Sequence, residues 1–159
     1  MEGFPQLTTH TDLIKKLEWE FERLNAEPEN SFLAYNFFVT AWHLLEWKYP
    51  DPEGKKFRKE LRENTPILQI CEHLAVGAKH FVIMDPKLKS VAGSENIRIG
   101  GVYGNYFGGW FGGWFGGAAK PVIILEGEAA KIFGGAVTVA TLAQHVMDFW
   151  RQQIDLPNI

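Results

Sequence analysis

The sequence predicts an α+β fold: a helical bundle with a small antiparallel β insertion, carrying a glycine–aromatic repeat, before the C-terminal helix. Three observations predict it. Apolar residues recur at helical spacing through the first half of the chain and again near its end. From about Ser90 the period changes, and Pro121–Glu126 (PVIILE) is a β-branched run suited to a buried strand. Ser31–Tyr49 (SFLAYNFFVTAWHLLEWKY) is apolar on almost every side, the pattern of a helix at the centre of a bundle. The 159 residues read as one domain, with the bundle over 9–85 and 138–154 and the insertion over about 95–127.

Taken in order, the first helix is expected from Thr9 to Asn25. Thr9 and Asp12 have capping-box spacing, and Leu13, Ile14, Leu17, Phe21 and Leu24 form one apolar stripe. The loop AEPEN turns the chain back into the Ser31–Tyr49 helix, giving a helical hairpin. On that helix Asn36, Thr40 and His43 fall close to one line, continued by Trp47, and read as a buried polar seam that must be hydrogen-bonded. Asp51–Asn64 reads as a short charged helix or loop. Its Lys55, Lys56, Arg58, Lys59 and Arg62 suit a solvated face, with a phosphate-binding patch as the alternative. Thr65-Pro66 is a helix start, an N-cap followed by proline at the first helical position. Ile67, Ile70, Cys71, Leu74, Ala78 and Phe81 then face the core, with Gln69, His73, Lys79 and His80 on the flank or far side. Asn96–Gly101 and Pro121–Glu126 read as strands, and Glu126-Gly127-Glu128 as a turn. A last helix, capped near Thr138, turns Val139, Leu142, Ala143, Val146 and Trp150 inward and His145, Asp148 and Gln152 outward.

Composition narrows the function classes. With 46% apolar and 22% charged residues the chain is of globular type. A net charge of −3 supplies no general attraction for nucleic acid or anionic membrane. Cys71 is the one cysteine, so no intrachain disulfide forms, which fits a reducing cytoplasm. The N-terminus has no basic region followed by an apolar run, so no signal peptide is expected. The apolar stretch of the central helix is too short and too interrupted to span a bilayer, and a soluble protein without a membrane partner is expected.

The least ordinary segment is Tyr106–Gly117, YFGG-WFGG-WFGG, a four-residue unit repeated three times. If extended, Tyr106, Trp110 and Trp114 share one face and Phe107, Phe111 and Phe115 the other. So much apolar surface calls for contact. Three readings fit: aromatics that cap the chain's own bundle, an arm that joins copies of the chain, and insertion at a membrane interface.

Leu74–Phe81 (LAVGAKHF), the repeat, and Val122–Ala130 (VIILEGEAA) together resemble a group of small uncharacterised bacterial proteins. These are similar in a LANGAKHF-like stretch, short aromatic–glycine repeats and a strand before the last helix. The resemblance spans roughly the central helix to the C-terminus, and Val76 stands where the group has Asn. It implies a family and brings no activity with it.

Chemistry-bearing constellations are few. His43 and Glu46, His73 and His80, and His145 and Asp148 share helix faces, but no HExxH or paired ExxH occurs. His73 and His80 are about 10 Å apart along a helix axis, too far to share one ion. No metal and no cofactor is therefore expected. Lys79-His80 closes its helix, where the macrodipole favours a cation. A catalytic reading makes His80 an acid/base group, Lys79 an electrophile for phosphate and His73 their neighbour. RNA-cleaving HEPN-like domains carry an Arg a few residues before a His; here Arg62 precedes His73 by eleven. No phosphate loop is present, because the glycines of GGVYGNYFGG are not followed by Lys and Ser or Thr. The functional expectation is a non-catalytic binding or assembly module that uses the aromatic repeat to join copies or a protein partner. The alternative is an RNase-like or other hydrolase centred on His80.

Overall fold

The computed structural model describes residues 7–79, 97–99 and 121–154. Its elements are α1 (His10–Ala26), α2 (Ser31–Lys48), α3 (Gly54–Asn64), α4 (Pro66–Lys79), β1 (Ile97–Ile99), β2 (Pro121–Ile124), α5 (Gly127–Phe133), β3 (Ala136–Thr138) and α6 (Val139–Ile154). The fold is α+β, mostly helical, with a small antiparallel sheet ahead of the last helix.

Local chemistry starts the helices. The Thr9 hydroxyl accepts from the Asp12 N–H at 3.2 Å, and the Asp12 carboxylate accepts from the Thr9 N–H at 3.0 Å. Thr9 above all, with the Thr8 N–H, holds the Asp12 carboxyl at about 2. Asn30 caps α2, its side-chain oxygen accepting from the N–H groups of Phe32 at 3.1 Å and Leu33 at 3.3 Å. Thr138 caps α6 by accepting from the Thr141 N–H at 3.1 Å. Between α2 and α3 the chain folds back so tightly that a Cβ on Gly54 would strike the Tyr49 carbonyl. The Arg58 guanidinium closes this corner, donating to the Tyr49 carbonyl and, at 2.7 Å, to Asp51.

The core is one cluster shared by α1, α2, α4, α6 and β2. Leu13, Ile14, Leu17, Phe21 and Leu24 of α1 are all buried, as are Val139, Leu142, Ala143, Val146 and Trp150 of α6. Phe21 meets Phe37 with ring centroids 6.0 Å apart, and Phe37 meets Phe38 edge-on at 5.2 Å. Ile67, Ile70 and Cys71 of α4 lie inside, and burial pushes the Cys71 thiol up to about 12, which leaves it unreactive.

The sheet has the order β1-β2-β3, with both pairings antiparallel. Ile123 of β2 stands opposite Ile97 on one side and Val137 on the other. One expectation is corrected. Glu126–Glu128 is not a simple turn: Gly127, at φ 58°, opens the short helix α5. Gly134, at φ 83°, reverses the chain into β3, which leads into α6. The Leu125 N–H then donates to the Gly135 carbonyl at 3.1 Å, extending the pairing past β2.

Candidate functional site

The central helix has two apolar sides, and only one belongs to the core. Phe37, Phe38, Thr40, Ala41, Leu44, Leu45 and Lys48 are buried. The opposite arc, about 140° wide at 3.6 residues per turn, carries exposed aromatic surface. Phe32 is 81% exposed, Tyr35 48% and Trp47 38%, with Val39 and Trp42 half-buried between them. Phe32, Tyr35, Val39, Trp42 and Glu46 follow the alternating three-and-four spacing of a helix-pairing seam. Asn36 and His43 lie alongside it, both exposed.

This overturns the buried polar seam. Thr40 is buried, at 5% exposure, and accepts from the Lys16 ammonium at 2.6 Å. Asn36 and His43 are rotated about 40° and 60° further from the core than Thr40, which carries both to the solvent side. Thr40 instead joins a polar joint between α1 and α2. Lys16 bridges Thr40 and Glu20, whose side chain is only 5% exposed.

Charge is sparse on α2. Glu46 and Lys48 are its two charged residues, and Lys48 is buried with its ammonium 5.4 Å from the Tyr49 ring centre. Burial lowers the Lys48 pKa. Glu46 is thus the one charge on the outward arc. On α1 a further aromatic, Trp19, is 55% exposed and lies under the Arg23 guanidinium at 4.8 Å.

Of the residues in the catalytic reading, His73 alone has a described side chain. His43 is exposed on α2, whereas His73 is buried on α4, at 5% exposure. His73 was expected on the flank of its helix; α4 is covered by α2, α5 and α6 together, which buries more than the single stripe. Burial lowers the His73 pKa, and the Glu126 carboxylate opposes that shift. Lys79 ends α4, but its side chain, His80, and the repeat residues Tyr106, Phe107, Trp110, Phe111, Trp114 and Phe115 lie outside the described residues. His145 is exposed against the Phe133 ring, 5.3 Å between centroids. Among the described residues no group of three His, Cys, Asp or Glu side chains is placed to hold a metal ion.

The basic residues of α3 are largely spoken for. Lys56 pairs with Glu60 at 3.8 Å, Lys59 with Glu63 at 4.0 Å and Arg62 with Glu72 at 3.1 Å. With Arg58 held by Asp51, α3 is a salt-bridged solvated face.

Sequence reasoning overlooked Phe32 and Tyr35 as surface residues. Their signal was present: a second stripe at three-and-four spacing, on the side of α2 opposite the core stripe, holding a single charge.

No known protein-family model matches this chain, and no curated protein or solved structure matches it either. No helix among the described residues is long and apolar enough to cross a membrane.

Proposed function

We propose that this chain is a non-catalytic binding or assembly module that associates through aromatic surface, with Tyr106–Gly117 as a contact segment. The observation that carries the reading is the outward face of α2, where Phe32, Tyr35 and Trp47 remain exposed on a rigid, core-packed helix. Exposed aromatic residues along one face of a core-packed helix are characteristic of contact sites. The repeat adds six more aromatic rings in twelve residues. In this reading it belongs to the β insertion, as in the small bacterial proteins the sequence resembles, and the partner is a further copy or another protein in a reducing cytoplasm.

Sedimentation equilibrium and thermal melts on Trp110→Ser/Trp114→Ser test it. A lowered mass at unchanged melting temperature is the expected result. A lowered melting temperature at unchanged mass would instead make the repeat part of its own chain's core. If neither changes, the repeat takes no part in association, and binding at a membrane interface becomes the reading to pursue.

A further inference from the structure

We infer that the outward face of α2 is a two-fold contact with a second copy of this chain, the two helices running antiparallel. The inference rests on the assembly reading and names its partner. Glu46 is the one charged side chain on the arc. A carboxylate pressed against an apolar partner surface is strongly disfavoured, so the occupant must bring a hydrogen-bond donor to it. The same face of a second copy brings one.

In an antiparallel pair, a position of one kind on the seam meets the other kind on its partner. Setting Val39 against the exposed part of the partner's Trp42, which otherwise packs on its own core, places Tyr35 against the partner's Glu46, and the phenol hydroxyl donates to the carboxylate. The flanking positions match in the same register: the Asn36 amide faces the partner's His43 ring. Two-fold symmetry repeats each contact, so Tyr35, Asn36, His43 and Glu46 all find partners while the apolar residues meet one another. A membrane surface offers no such match for Glu46.

Area sets the strength. With each aromatic side chain presenting about 150–250 Å², Phe32, Tyr35 and Trp47 expose roughly 250–400 Å² of surface per copy. A standard interface uses about 800 Å² per partner. Even with Val39, Trp42 and His43 added, the contact stays below the standard size, and a weak dimer is expected.

Sedimentation equilibrium on charge variants tests the register. Tyr35→Glu sets like charges opposite each other and should raise the dimer Kd by about 10-fold or more. Tyr35→Glu/Glu46→Lys replaces the hydrogen bond by an ion pair and should restore association. Both side chains are exposed, so circular dichroism and melts should match wild type. Association unchanged in Tyr35→Glu, or not recovered in the double variant, overturns the inference. If Trp110→Ser/Trp114→Ser disperses an oligomer that Tyr35→Glu leaves intact, this contact falls and the repeat reading stands. A wild-type chain that stays monomeric and binds phosphatidylcholine vesicles overturns both.

Discussion

Replacing Lys16 with Met should expose how the α1–α2 hairpin is held. Methionine keeps most of the lysine stem and removes the ammonium that reaches Glu20 and Thr40. The Glu20 carboxylate, with its side chain 5% exposed, then remains in the protein without its cation. Its second oxygen, Oε2, already has no hydrogen-bond partner among the described residues. Breaking a fully buried pair in this way costs about 3–5 kcal/mol, and an exposed pair contributes only about 0.2–1 kcal/mol. The Lys16 side chain is 35% exposed, so water screens its end of the pair. An intermediate loss of about 2–3 kcal/mol is expected, equivalent to roughly 5–10 °C in melting temperature for a chain of this size. Lys16→Met/Glu20→Leu removes both charges and should come within about 1 kcal/mol of wild type, because no buried charge is then left behind. Urea denaturation of the two single variants and the double variant gives the coupling, expected at about 2 kcal/mol. Raising the salt should reduce it only partly, since one partner is buried. A loss below about 0.5 kcal/mol in Lys16→Met, or strict additivity in the double variant, would refute the reasoning.

Two further perturbations probe the frame. Gly54→Ala drives a methyl into the Tyr49 carbonyl, which is backbone, and should cost about 1–3 kcal/mol or more; Gly135→Ala, which meets nothing within 4 Å, should stay within about 0.5 kcal/mol, and denaturant midpoints compare the two. His73, whose pKa burial lowers from 6.5, binds its proton less readily folded than unfolded, so stability should fall as pH drops below about 6.5. His73→Gln should flatten that part of the curve, while Glu126→Gln should steepen it by removing the charge that opposes the shift; denaturation midpoints across the acid range read both.

What the sequence disclosed was mostly local. Thr9 with Asp12, Asn30, Thr65-Pro66 and Thr138 mark helix starts through contacts within three or four residues, and the core stripes of α1 and α6 follow from periodicity alone. What it withheld depends on distant partners. β3 is three residues long and exists because β2 pairs with it, and nothing in Ala136–Thr138 by itself distinguishes it from a helix lead-in. Lys16 and Glu20 have the spacing of a surface ion pair, and only the approach of Thr40 from α2 marks the pair as partly interior. His73 was misplaced for a related reason: a stripe calculation assumes one covered side, and α4 has more than one.

The central helix shows the same limit in its sharpest form. A helix apolar on all sides must be covered on all sides, but the pattern is silent about whose atoms provide the cover. In α2 the core half is closed by α1, α4 and α6, while Phe32, Tyr35 and Trp47 are left facing outward. One physical property of these residues bears on the proposed association. Their backbone is already ordered by core packing, so a contact on this face adds little conformational cost. The glycine pairs of YFGG-WFGG-WFGG make ordering that segment expensive, at about 1–2 kcal/mol per residue or more. For the association proposed above, a face that is preorganised and holds a single charge is therefore the better place for a first contact. In that proposal the repeat, richer in rings but costlier to order, is better suited to strengthening a contact than to starting one.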